Sequence, residues 1–131
     1  MDKKAAVNLL ILSVKREEMQ RDARKTGWSV SWLLREFWEK EKSEIRRYDI
    51  NSLEVITIKV GSPWREARRY REIEARVIPK GMEIFQVYIS ESTFKEMEIE
   101  CERLSLVIWE LLLWIWERSR DSIRKYSAGD A

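Results

Sequence analysis

Arg65, Arg68, Arg69 and Arg71 fall within seven residues, beside Trp64 and Tyr70. Guanidinium forks grip phosphate oxygens and aromatic rings stack on bases, so this grouping points to a local nucleic-acid contact. If residues 63–69 are helical, Arg65 shares a face with Arg68 and Arg69. Arg76 and Lys80 would then stand towards the tip of a following hairpin, where they would touch backbone phosphates. Glu66, Glu72 and Glu74 dilute the charge, and a solvated face of internal ion pairs is the competing reading.

Other chemistries lack parts. The chain has no histidine, the commonest general base and metal ligand, and one cysteine, Cys101, with no base to activate it. Its glycines, Gly27, Gly61, Gly81 and Gly129, stand singly, so no phosphate-cradling loop can be written from them. Glu54, Glu72, Glu74 and Glu83 lie on or near expected strands, but no aspartate joins them there in the pattern of a metal-dependent nuclease. The sequence therefore reads as non-enzymatic, with no cofactor and no structural metal.

The 131 residues, 44% of them hydrophobic, suffice for one domain with a sizeable core. Twenty-five Lys and Arg against 23 Asp and Glu leave a formal charge of +2, so any basic site must be local. Many ion-pairing residues and few amides (Asn8, Asn51, Gln20, Gln86) form the composition of proteins from hot habitats. The apolar run 5–14 is interrupted by Asn8 and followed by charges, and the run 104–116 is too short for a membrane span, so an intracellular location is expected.

The elements that must position these residues follow from periodicity. Val7, Leu10, Ile11 and Val14 share a helical stripe, which predicts a helix over 3–25 ending at Gly27. Val30, Leu33, Leu34 and Phe37 predict a second from Ser29 to about Tyr48, so that residues 3–48 form a helical hairpin. Residues 53–60, rich in branched side chains, read as a strand. A short helix follows, then a β-hairpin over 70–90 that turns at Pro79, Lys80 and Gly81. Residues 92–126 contain neither Gly nor Pro and read as one helix of about 52 Å at 1.5 Å per residue, longer than a domain of this size is wide. No internal repeat is evident. The expected fold is α+β: an N-terminal helical hairpin, a three-stranded mainly antiparallel sheet and a long C-terminal helix.

That helix carries two apolar faces. Met97, Cys101, Leu104, Ile108, Leu111 and Ile115 suffice to dock it on the domain. Leu106, Trp109, Leu113 and Trp116 lie about 140° away and would leave several hundred Å² of apolar surface in water, which predicts self-association. The expected function is a homodimeric binding protein that contacts DNA or RNA through the Arg-rich edge. The alternative is a protein-interaction module gripping another protein with its tryptophans.

Overall fold

The computed structural model describes residues 3–61 and 80–126. It is α+β, with strand β1 (Lys4–Leu12), helices α1 (Ser13–Thr26), α2 (Val30–Ile45) and α3 (Leu53–Gly61), strand β2 (Met82–Ser90), and helices α4 (Glu91–Leu104) and α5 (Ile108–Ser119). A 3-10 segment, Arg120–Tyr126, ends it.

The two strands pair with each other, antiparallel, from Lys4 opposite Ser90 to Leu12 opposite Met82. Val7, Leu9 and Ile11 alternate inward on β1, and Phe85, Val87 and Ile89 do so on β2. A lone two-stranded ribbon is marginal in water, so these rows must be covered. The helices cover them crosswise, with α2 packed along β2, α5 along β1, and α2 against α5, where the rings of Phe37 and Trp116 meet 5.6 Å apart.

Local chemistry sets the helix ends. The Ser29 hydroxyl accepts from the Trp32 amide at the start of α2, and Gly27, at φ +82°, ends α1 with its amide on the Arg24 carbonyl. Ser90 starts α4 by accepting from the Thr93 amide. Arg103 ties the units together, because it pairs with the buried Glu100 and donates to the Ile45 carbonyl at the end of α2.

Several expectations are corrected. The sheet among the described residues has two strands, not three. Residues 3–25 hold a strand before their helix, because the buried run Leu9, Leu10, Ile11 fits either period. Residues 53–60 are helical; the Ser52 carbonyl accepts from the Ile56 amide and opens α3 despite its branched residues. The hairpin's second strand is β2, with Gly81 left-handed at φ +83° before it, but β2 pairs with β1. The first hairpin strand and the short helix lie outside the described residues.

The single C-terminal helix is broken at Ser105, which adopts φ +56° and ends α4, so that α5 folds back. Leu106, Trp109, Leu113 and Trp116 are consequently 7%, 3%, 7% and 0% exposed within one chain. The surplus apolar face that argued for a homodimer does not exist, and the same burial removes the tryptophan grip of the alternative.

The chain does contain a repeat. β1, α1 and α2 begin at residues 4, 13 and 30, whereas β2, α4 and α5 begin at 82, 91 and 108, a constant offset of 78 (82 − 4, 91 − 13 and 108 − 30). The two left-handed helix ends, Gly27 and Ser105, obey it too. Ile11/Ile89, Met19/Met97, Leu33/Leu111, Leu34/Leu112, Trp38/Trp116 and Ile45/Ile123 are identical across it, and every one is buried. The core is thus two strand–helix–helix units related by a pseudo-twofold axis, each laying its second helix on the other's strand.

Candidate nucleic-acid interface

A two-stranded ribbon has two faces; the core fills one and covers half of the other. The outward rows are Lys4, Ala6, Asn8, Leu10 and Leu12 on β1, and Met82, Ile84, Gln86, Tyr88 and Ser90 on β2. Lys4, Ala6, Asn8, Gln86 and Tyr88 are exposed, whereas Leu10 is only 2% exposed. One half of the outward face is therefore polar and open, and the half towards Leu12 and Met82 is apolar.

The polar half is joined by hydrogen bonds. The Tyr88 hydroxyl donates to Gln86 Oε1 at 2.7 Å, and Gln86 Nε2 donates to Asn8 Oδ1 at 3.1 Å, across the strands. The chain of donors runs one way, and the Asn8 Nδ2 hydrogens are not spent in it. Amide side chains on a ribbon are what the adenine major-groove edge, one donor beside one acceptor, can pair with.

The edges of the ribbon meet helix starts. The Tyr88 amide donates to the Ser31 hydroxyl in the first turn of α2 at 3.0 Å. The start of α5 differs, because the buried Glu110 carboxylate accepts from the Val107 amide there. First-turn amides that no carbonyl occupies favour anions such as phosphate. Beside the α2 start, Trp28 and Trp32 stack 4.1 Å apart, with Trp28 45% exposed, an aromatic platform at the interhelix corner.

Of the residues expected from sequence to touch nucleic acid, Trp64, Arg65, Arg68, Arg69, Tyr70, Arg71 and Arg76 lie outside the described residues. Lys80 is exposed in the turn that leads into β2. Asn8, Gln86, Tyr88 and the α2 start were missed. The signal for them was the constant 78-residue offset, which makes Asn8 and Gln86 equivalent polar interruptions of two apolar strands.

Other reactive groups are occupied. Glu83 accepts from Arg16 at 2.7 Å and from Ser13 at 3.1 Å, and the Arg16 bond holds its carboxyl below the usual range despite opposing desolvation. Burial, then the nearby Glu110, Glu98 and Glu100 charges, push the Cys101 thiol up to about 12. Among the described residues no group of three or more His, Cys, Asp or Glu is placed to hold a metal ion, and no helix is long and apolar enough to cross a membrane. Compared with known proteins, the chain matches no family model, no curated protein and no solved structure.

Proposed function

We propose that this protein is a non-enzymatic reader of duplex DNA that seats the β1–β2 ribbon in the major groove. The observation that carries the reading is the open polar row Lys4, Asn8, Gln86 and Tyr88 on a ribbon whose other face is core. Strands about 4.8 Å apart, with their side chains, fit a major groove about 12 Å wide and not a minor groove of about 6 Å. Paired ribbons are one of the elements proteins place there. The narrow major groove of A-form RNA excludes it, which favours DNA over RNA.

Affinity would come from phosphate. The start of α2 flanks the ribbon, and the Arg-rich stretch is tethered to it: Arg76 lies six positions before Met82, at most about 21 Å of chain. With a formal charge of only +2, such contacts must be concentrated at this face. A homodimer is not required, because one chain already supplies both strands.

Fluorescence anisotropy with a pool of random-sequence duplex DNA, at stepped salt, tests the proposal. Binding at low salt is expected, with log K falling by about 0.9 per phosphate neutralised for each decade of salt. The same pool as duplex RNA should bind more weakly. Failure of duplex DNA to bind at low salt, or unchanged binding after Asn8→Ala, Gln86→Ala and Tyr88→Ala together, sinks the reading.

A further inference from the structure

The pseudo-twofold gives the molecule two equivalent interhelix corners, and their contents are opposite. Arg24, Lys25, Trp28 and Trp32 between α1 and α2 correspond to Glu102, Arg103, Leu106 and Glu110 between α4 and α5. At the second corner Leu106 and Glu110 are buried. At the first, Arg24, Lys25 and Trp28 are exposed, and no acidic residue stands between Asp22 and Glu36. A chain with a formal charge of only +2 thus concentrates cations around two indoles at one of two matching places.

The corner is held in shape before anything binds. The Trp28 amide donates to the Thr26 hydroxyl at 3.0 Å, that hydroxyl donates to the Ala23 carbonyl at 2.7 Å, and Ser29 caps α2. Trp28 and Trp32 stack 4.1 Å apart at an interplanar angle of 14°. Trp32 packs against the core, whereas Trp28 remains 45% exposed. The outer ring of such a pair can offer its face to a third ring, with little ordering to be lost on contact. Flat rings beside cations are the means by which proteins hold single-stranded nucleic acid, the bases stacking on the rings while the phosphates lie against the charges. Bases inside a duplex are already stacked on one another, so the base that reaches Trp28 must be unpaired.

The corner also adjoins the ribbon. Ser31, one residue before Trp32, accepts from the amide of Tyr88, whose side chain is 51% exposed on the polar half of the ribbon. A duplex seated on that half stands beside the indoles, and a strand continuing past its end is the nearest source of an unpaired base.

We infer that the α1–α2 corner stacks an unpaired base, and that the preferred ligand is duplex DNA bearing a single-stranded extension. The second clause rests on the ribbon reading above, and the first stands without it.

Fluorescence anisotropy with a random-sequence duplex pool of about ten base pairs, one helical turn, tests this. The duplex is offered blunt, extended at its 3′ or its 5′ ends by a few thymines, or extended by the same number of abasic sites. Thymines at one of the two ends should tighten binding about 10-fold over the blunt duplex, and abasic sites, which keep the phosphates, should recover little of that gain. Trp28→Ala should bring the thymine extension down to the affinity of the abasic one. Should that variant not fold, the thymine and abasic extensions on the wild type decide by themselves. Equal binding of thymine and abasic extensions, or of extended and blunt duplexes, overturns the inference but leaves the ribbon reading standing. If no duplex binds at low salt, the ribbon reading and the preference for an extended duplex both fall, and single strands with and without bases still decide whether the corner stacks a base.

Discussion

Asn8 and Gln86 are partners twice over: they face each other across the ribbon, joined at 3.1 Å, and they occupy the same position in the two units. Only a residue on a twofold axis can be both. The relationship shows that the ribbon is the seam along which two units meet, and that the chain folds as a dimer folded into one molecule. The seam is also where polar groups remain open, although both strands are flanked by core.

This architecture sets the mass in solution. Because each unit's second helix is already laid on the other unit's strand, light scattering is expected to give a monomer. Trp109→Glu with Trp116→Glu places two carboxylates where the rings are 3% and 0% exposed, and should abolish the cooperative thermal transition. A stable dimer of the wild type that the double variant converts to a folded monomer would contradict the fold.

The two helix ends predict opposite effects of one atom. Ser105 holds φ +56° where its equivalent Gly27 holds +82°, and a left-handed conformation costs a residue with a Cβ about 1 kcal/mol. Ser105→Gly should therefore raise the melting temperature by a few degrees, and Gly27→Ala should lower it by a similar amount. Equal and negligible shifts in both variants would show that the conformations are not constrained.

How much of this was legible follows the same residues. The face of α2 and the buried side of α4 were readable, because Leu33, Leu34, Phe37, Met97, Cys101 and Leu104 keep an unambiguous helical period and are buried. The first strand was not, since Leu9 and Leu10 are both buried and neither period is violated. Ser105 gave no warning, because a left-handed end usually carries glycine. The α3 segment is helical against the β preference of its branched residues, which its sequence did not signal. The repeat was hidden because most of its buried identities are Leu and Ile, which are common in any core, while the outward rows that define the candidate site have diverged. Reading Trp38-Glu39 against Trp116-Glu117 and Leu33-Leu34 against Leu111-Leu112 at one offset was the available route to it.

Cys101 should behave as an inert thiol. Its folded pKa, pushed up to about 12 from 9.0, lies above its unfolded value, so the neutral thiol contributes stability that is complete below pH 9 and is lost as pH rises towards 12. Iodoacetamide at pH 8 is expected to label the native chain at a small fraction of the rate seen in denaturant, measured by mass spectrometry. Equal rates would mean that the α4 face opens freely.

Trp38 and Trp116 test whether the two units are equivalent in energy as well as in shape. Both are fully buried, at 0% exposure, and a ring-to-ring change removes the same volume from each. Their indole nitrogens differ. Trp38 Nε1 donates to Glu96 at 2.8 Å, whereas Trp116 Nε1 is buried with no hydrogen-bond partner. The equivalent acid, Glu18, is instead engaged by Lys15 and Arg120. Trp116→Phe therefore sacrifices packing alone and removes a buried unsatisfied donor, while Trp38→Phe also forfeits a bond to a charged acceptor, worth about 1.5–3 kcal/mol. Denaturant unfolding should show Trp38→Phe to be the more destabilising by roughly 1–2 kcal/mol, and Glu96→Ala, which removes the acceptor, should narrow the gap. A larger loss from Trp116→Phe would mean that its ring packing, and not the hydrogen bond at Trp38, governs the difference between the two units.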